Sequence, residues 1–120
     1  MSPSYGARYP HKATEAFFDK FLSRLEPSRR RRVVKAILGL QKDPKPVDNP
    51  DLKYVDTEDG PTEMLLRLLP GIPFIVGGRE VFCDDLRARH HITVERVTVV
   101  YALNDTERIV WLMYIREAEA

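Results

Sequence analysis

Two arginines, one within and one at the end of an apolar segment, could present a cation to a bound anion. Arg67 interrupts a short apolar run, and Arg116 follows the uninterrupted apolar run 109–115. The planar guanidinium group can hold two phosphate oxygens at once, so both arginines are candidates for an anion site. The alternative for each is a solvated charge, and Arg116 could instead pair with Glu107 or Glu117.

A histidine and two tyrosines add groups that can accept or donate a proton. His90 and His91 are consecutive, and in a strand they would point to opposite faces. Neutral imidazole titrates close to working pH, so we take His91 as the candidate general base. Tyr101 and Tyr114 could stack on a nucleobase or donate a proton, although tyrosines in such runs are commonly packing residues.

Side chains that can bind metals precede the two histidines. Cys83, Asp84 and Asp85 lie upstream of His90 and His91. The spacing matches no zinc pattern such as Cys-x2-Cys or His-x3-His. We therefore predict no metal site and no cofactor.

Four consecutive arginines, 29–32, begin a predicted helix. Successive helical residues are spread by about 100° each, so at most two of the four share a face. In one interpretation, Arg29 and Arg32 bind nucleic-acid phosphates or an acidic partner. In the other, the run is a solvated face whose charge is offset by Glu26 and Asp19.

The size and charge of the chain narrow its class. Its 120 residues suffice for one domain with a single core. The formal net charge is only +1, whereas nucleic-acid binders are often strongly basic. The single cysteine permits no internal disulfide, and no apolar run has the length of a membrane span or signal peptide. We therefore expect a cytoplasmic protein that does not engage a membrane.

Two amphipathic helices are predicted within 14–42. Thr14 is the expected N-cap of the first, and Ser28 is the expected N-cap of the second, which runs to about Lys42. The prolines within 43–46 end the second helix. Since the linker is short, the two helices should form an antiparallel αα-hairpin.

Strands follow these helices. The runs 92–103 and 108–116 around a polar turn predict a hairpin, and its second strand should be buried on both faces. Shorter strands are predicted at 64–69 and 72–76, and an edge strand at 5–9. The segment 47–61 reads as a loop anchored by Leu52 and Tyr54. The predicted fold is α+β, with the N-terminal αα-hairpin packed on one face of a small, mostly antiparallel twisted sheet.

This order of elements resembles the RelE/ParE superfamily of toxin–antitoxin toxins. The resemblance spans residues 14–116 and implies one domain over 1–120, with the hairpin at 14–42, the sheet at 62–116 and an inserted segment at 77–91. The landmarks that carry it are the amphipathic helix 16–25, the second helix ending in 37–44, Leu52, the arginine-bearing strand before Pro70-Gly71, and the closing motifs Val99-Val100-Tyr101, Asp105, Ile109-Val110 and Ile115-Arg116.

In the ribonuclease members, the resemblance implies metal-independent cleavage of messenger RNA in the ribosomal decoding site. A ribose 2′-OH attacks the adjacent phosphate, which requires a base, cations and an acid. Arg67 and Arg116 match two positions where that family often carries arginines on the open sheet face. The candidate catalytic residues are Arg67, Arg116, His91 and Tyr114, and the candidate nucleic-acid contacts are Arg29, Arg32 and Tyr101.

The chain also departs from the family pattern. The turn Gly71-Ile72-Pro73-Phe74 lacks a frequent family arginine, the segment 77–91 looks inserted, and the net charge is nearly neutral. These departures favour the alternative of a ParE-like toxin that cleaves nothing and inhibits DNA gyrase by binding it. A third alternative is an inert or repurposed relative that acts as an interaction module. As a toxin, the chain would have a small, partly acidic antitoxin as partner, and the ribosome with its mRNA or DNA gyrase as target.

Overall fold

The computed structural model describes residues 4–10, 12–56, 74–76, 79–81, 90–104 and 107–118. Its elements in chain order are β1 (Gly6–Arg8), α1 (Lys12–Ser23), α2 (Pro27–Gly39), β2 (Lys53–Asp56), β3 (Phe74–Val76), β4 (Arg79–Val81), β5 (His90–Val94), β6 (Val97–Asn104) and β7 (Ile109–Glu117). Five described strands form one sheet in the order β1-β7-β6-β5-β2, while β3 and β4 pair with each other. The sheet is antiparallel except where β1 runs parallel to β7. The predicted α+β fold is confirmed, with the helical hairpin on one face of a mostly antiparallel sheet.

The helix starts differ from the predicted caps. α1 begins at Lys12, so Thr14 lies inside the helix, where its side chain is buried. α2 is capped by Glu26, whose carboxylate accepts hydrogen bonds from the backbone N–H and the hydroxyl group of Ser28. Pro27 occupies the first turn of α2, where a missing N–H costs no helical hydrogen bond. The predictions of Thr14 and Ser28 as caps were wrong because α1 begins three residues, and α2 two residues, earlier than those caps implied.

The end of α2 also comes early. The helix stops at Gly39, three residues before the predicted end at Lys42. Leu40, Gln41 and Lys42 then each donate a backbone hydrogen bond to the carbonyl three residues earlier, which tightens the chain into turns. The prolines therefore follow the helix end and do not cause it.

The helices sit over different strands of the same face. α1 lies against β7 and α2 lies against β5. The guanidinium group of Arg30 joins them by donating hydrogen bonds to the carbonyl oxygens of Leu22, Ser23 and Leu25 at 2.9, 3.2 and 3.1 Å. The Leu22 carbonyl also accepts a hydrogen bond from the backbone N–H of Leu25, so Arg30 adds to the partners of the carbonyls at the end of α1. One member of the arginine run is thus committed to closing the helical hairpin.

The run 92–103 forms two strands instead of the single strand predicted. β5 and β6 are joined by Glu95 and Arg96, which both have positive φ angles, 51° and 61°. Two-residue hairpin turns favour this geometry but usually place Asn or Gly there, so the sequence carries no obvious turn signal. The hairpin predicted around the polar turn is confirmed, and it is formed by β6 and β7.

The remaining strand predictions have mixed outcomes. The predicted edge strand at 5–9 is β1. The segment 47–61, predicted to be loop, contains β2, although Leu52 and Tyr54 do pack against the core as expected. β5 begins at His90, so the last two residues of the predicted insertion 77–91 belong to the sheet. The predicted strand at 64–69 lies outside the described residues.

The two faces of the sheet are both largely buried. On β6, Val97, Val99 and Tyr101 belong to the core beneath the helices. The alternate residues Thr98, Val100 and Ala102 define the opposite side, which we call the second face, and they are also buried. β7 is buried on both faces as predicted. Its register against β6 shifts between Val100 and Tyr101, a bulge that leaves Met113 without a cross-strand partner.

The core beneath the helices consists of side chains from both helices and three strands. Its buried members are Phe18, Leu25, Val33, Ile37, Leu40, Ile92, Val94, Val97, Val99, Tyr101, Val110, Leu112 and Ile115. Burial of these apolar side chains drives the docking of the helices onto the sheet. Neither α1 nor α2, the helices of the described residues, is long and apolar enough to cross a membrane.

Candidate anion site on the second face of the sheet

Strand register brings two of the predicted catalytic residues to the same face. Residues paired across antiparallel strands point to the same side of a sheet. One row across β5, β6 and β7 is His91, Val100 and Tyr114, and the next is Thr93, Thr98 and Arg116. Both rows lie on the second face, and we call their polar members His91, Thr93, Thr98 and Arg116 the second-face cluster.

Arg116 has one side-chain nitrogen that is buried without a hydrogen-bond partner among the described residues. Its Nη1 donates a hydrogen bond to the carbonyl oxygen of Glu117 at 3.1 Å, while its Nε is buried with no hydrogen-bond partner among the described residues. The side chain is half-buried. The expected alternative was an ion pair with Glu107 or Glu117, but the Glu117 carboxylate is bound by another arginine. A buried N–H is costly to leave unpaired, which marks this guanidinium group as unusual.

His91 is positioned to act as a neutral base. Burial lowers the pKa of its imidazole, and the positive charge of Arg116 lowers that pKa further. Its Nε2 is buried and has no hydrogen-bond partner within the described part of the chain. A histidine with a lowered pKa is neutral near pH 7 and can accept a proton from a nearby hydroxyl group.

Two threonines lie between these groups, and the sequence did not mark them as site residues. The hydroxyl groups of Thr93 and Thr98 are hydrogen-bonded at 2.9 Å. When one hydroxyl donates in such a pair, the other keeps its own hydrogen available for a further acceptor. Thr98 is also the cross-strand partner of Arg116. The only sequence signal for this pair is that Thr93 and Thr98 each stand between apolar residues, at the end of β5 and the start of β6.

Tyr114 borders the cluster. By register it belongs to the row of His91, and its ring stacks on that of Phe17 in α1, with centroids 5.4 Å apart. Tyr114 is half-buried, and its stacking on Phe17 brings its ring against α1. Its predicted role as a proton donor stays a prediction.

Tyr101 lies elsewhere. It faces the helices, its side chain is fully buried, and its hydroxyl group donates a 2.6 Å hydrogen bond to the carbonyl oxygen of Pro44. Burial raises the pKa of this tyrosine, which keeps the phenol protonated. The side chain therefore packs in the core, and neither face of its ring is accessible for stacking on a nucleobase.

The arginines of α2 are bound by carboxylates that are remote in sequence. Arg29 donates two hydrogen bonds to Glu117, at 3.2 and 2.7 Å, and one to the carbonyl oxygen of Glu95 at 2.8 Å. Arg32 pairs with the Glu95 carboxylate at 3.2 Å but its side chain stays 62% exposed. These two glutamates are the direct partners, although hydrogen bonds from Ser28 and, to a lesser extent, the charge of Arg32 lower the pKa of Glu26, one of the two expected counter-charges. Of the two predicted nucleic-acid contacts, only Arg32 keeps most of its charge at the surface.

A groove lies beside Arg32, on the helix side of the sheet. It has a volume of about 470 Å³ between α2, the segment 43–52 and the end of β5. Lys35, Asp43 and Asp51 give its lining charges of both signs. This mixture favours no one class of ligand.

Other predicted groups lie outside the described residues. Arg67 is one, as are Cys83, Asp84 and Asp85. Among the residues that the structure describes, no three His, Cys, Asp or Glu side chains are grouped so that they could hold a metal ion.

A second polar network, missed in the sequence, lies on the helix side. The Tyr54 hydroxyl is 2.7 Å from Nδ1 of His90, and the His90 ring stacks between those of Tyr54 and Tyr101. Burial, with a contribution from Asp56, raises the pKa of Tyr54 to about 12. The tyrosine therefore stays protonated and contributes to packing and hydrogen bonding.

The second-face cluster combines one cation, one imidazole with a lowered pKa and two hydroxyl groups. Such a set can bind a phosphate or carboxylate and accept a proton from a hydroxyl group beside it. Comparison of the chain with protein-family models, curated proteins and solved structures gives no match. Function therefore has to be inferred from these residues and from the resemblance noted in the sequence.

Proposed function

We propose that this chain is the toxin of a type II toxin–antitoxin system and cleaves messenger RNA on the ribosome. The observation that carries the proposal is the placement of His91 and Arg116 in neighbouring rows of the second face, each with a buried nitrogen that lacks a partner among the described residues. When a ribose 2′-OH of the RNA attacks the adjacent phosphate, the reaction needs a base to take the proton and a cation to stabilise the phosphate charge.

Each group has a defined part in the reaction. Neutral His91 takes the proton of the 2′-OH as the new O2′–P bond forms. Arg116 donates hydrogen bonds to the phosphate oxygens and stabilises the charge that develops on them. As the P–O5′ bond breaks, Tyr114 donates a proton to the leaving oxygen. The products are a 2′,3′-cyclic phosphate and a 5′-hydroxyl end.

A cognate antitoxin would be a small, partly acidic protein. Its acidic segment would be attracted to cations that the fold leaves at the surface, such as Arg32. The target would be mRNA held in the ribosomal decoding site, as the resemblance implies.

One observation favours the alternative of a ParE-like toxin that binds DNA gyrase and cleaves nothing. Arg29 and Arg30 are bound within the protein, and Tyr101 is buried. Together with a net charge of +1, this leaves fewer surface groups for RNA than the sequence predicted.

Two experiments on variants separate the two functions: an assay with purified ribosomes, and induced expression in cells with mapping of mRNA ends and DNA damage. Arg116→Gln and His91→Gln should each reduce cleavage of mRNA by purified ribosomes at least about 100-fold, while circular dichroism shows an intact fold. Arg31→Gln is the matched control, because it removes an exposed arginine of α2 that lies outside the cluster. New 5′ ends in coding mRNA support the nuclease, whereas DNA damage with intact mRNA would support gyrase inhibition. Undiminished toxicity of both cluster variants would refute the site.

A further inference from the structure

Arg29 and Arg116 lie on opposite sides of the sheet but are connected through Glu117. The end of β7 is held by β6 on one side, while β1 pairs only with 109–111 at the other end of the strand. Adjacent strand residues point to opposite faces, so Glu117 faces the helices when Arg116 faces the second face. Whatever fixes the Glu117 side chain therefore also fixes the direction of Arg116.

The Glu117 side chain is fixed by Arg29. The two guanidinium Nη atoms bind the two carboxylate oxygens at 3.2 and 2.7 Å, the two-point geometry that only arginine provides. The same guanidinium group donates from Nε to the carbonyl oxygen of Glu95, at 2.8 Å. One side chain of α2 thus binds both the end of β7 and the turn between β5 and β6.

That turn needs such a contact. Glu95 and Arg96 both adopt positive φ angles, which are unfavourable for residues other than glycine. The carbonyl oxygen of Arg96 accepts a hydrogen bond from the backbone N–H of Ala118 at 2.8 Å. The turn and the end of β7 therefore form one unit, with Arg29 at its centre.

Arg116 is anchored on the same unit. Its Nη1 donates to the carbonyl oxygen of Glu117, the residue whose side chain Arg29 holds. We propose that Arg29 is a positioning residue, which acts through Glu117 from the helix side of the sheet to hold the Arg116 guanidinium at the second-face cluster. Its importance for cleavage rests on the proposed function, but the positioning itself does not.

The pKa of His91 reports where Arg116 lies, because the charge of Arg116 lowers it. It can be measured by NMR titration of the imidazole protons, with His91→Gln used to assign the signal among the three histidines of the chain. Arg116→Gln defines the rise in pKa expected when the cation is absent. The experiment compares this rise with those of Arg29→Lys and Glu117→Gln.

Both variants separate positioning from direct electrostatics. Arg29→Lys keeps the positive charge but loses the two-point contact, so a rise in the His91 pKa would come from displacement of Arg116. Glu117→Gln removes a negative charge, which by itself would lower a histidine pKa. A rise in that variant therefore has the opposite sign to the direct effect. Glu117 is largely exposed, so this variant should fold even if Arg29→Lys does not.

We expect both variants to raise the His91 pKa toward its value in Arg116→Gln, and Arg31→Gln, at an exposed position of α2, to leave it unchanged. In ribosome assays, Arg29→Lys should lower kcat about 10-fold through misplacement of the cation, with a smaller change in KM. An unchanged or lowered His91 pKa in Glu117→Gln would overturn the positioning role. A raised pKa in a protein that cleaves no RNA would keep that role and reject the nuclease.

Discussion

His90 and His91 are neighbours in β5 and yet belong to opposite environments. His90 faces the helices with 7% of its surface exposed, stacked between two tyrosine rings, and its Nδ1 is 2.7 Å from the Tyr54 hydroxyl. His91 faces the second face, is half-buried, and has an Nε2 without a partner among the described residues. The same residue type thus packs between aromatic rings on one face and keeps an unpaired ring nitrogen on the other.

The difference lies in what each face supplies. The helix side provides aromatic surface and a tyrosine hydroxyl, and the Asp56 carboxylate lies 3.9 Å from His90. The second face provides Arg116, a cation that disfavours protonation of His91. Burial alone therefore does not determine the role of a histidine. The role also depends on the hydrogen-bond partners of its ring and on the nearest charge.

The largest expected difference between the two histidines is in stability. His90→Ala removes a buried ring from between two others and deprives Tyr54 of its hydrogen-bond partner, so it should cost about 2–4 kcal/mol of unfolding free energy. His91→Ala removes a half-buried ring with fewer contacts and should cost less than about 1 kcal/mol. Urea unfolding of both variants measures the difference. Equal losses would mean that the two faces hold their histidines in the same way.

The tyrosines allow a finer comparison of the two faces. Tyr101→Phe removes the hydroxyl group that donates to the Pro44 carbonyl, and Tyr54→Phe removes the one beside His90. Each should lower the unfolding free energy by about 1–2 kcal/mol, because a buried partner is left unpaired.

Tyr114→Phe is the matched control for these two variants. It should change stability by less than about 0.5 kcal/mol and instead slow mRNA cleavage, if the phenol supplies the proton to the leaving group. Full cleavage by Tyr114→Phe would remove Tyr114 from the proposed mechanism and leave the stability comparison intact.

The fold was predictable where burial dominates the sequence pattern. The apolar run 109–115 predicted a strand buried on both faces, and β7 has that burial. The turn at Glu95-Arg96 was missed because tight turns are recognised by Asn and Gly, and here a distant arginine holds two unfavourable residues in place. Ser28 is a good cap by type, but Glu26 accepts its hydrogen bonds.

The candidate site was predictable only in part. The alternation of strand side chains indicated that the two histidines would face opposite ways, but which of them meets Arg116 depends on the register of β5 against β6. The partner of Arg29 is 88 residues away in sequence, and no local pattern reveals such a contact. For Tyr101 the sequence left both stacking on a nucleobase and packing open, and the alternation of side chains along β6 places it in the core beneath the helices.

The smallest expected effect is on the pH dependence of stability. Burial and Arg116 lower the pKa of His91 in the folded protein, so the unfolded chain binds a proton more readily than the fold does. Stability should therefore be unaffected by His91 above the ordinary histidine pKa and should fall as pH drops from about 6.5 toward the lowered value. The informative quantity is the difference between wild type and His91→Gln, because contributions common to both proteins cancel in it.

Urea unfolding from about pH 7.5 to about pH 5 measures that difference. The wild-type protein should lose more stability on acidification than His91→Gln, and Arg116→Gln should lose an intermediate amount because it removes one of the two causes of the shift. Parallel curves for wild type and His91→Gln would mean that the fold protonates His91 as easily as the unfolded chain does. The second face would then hold an ordinary surface histidine, and the contrast with His90 would be one of packing alone.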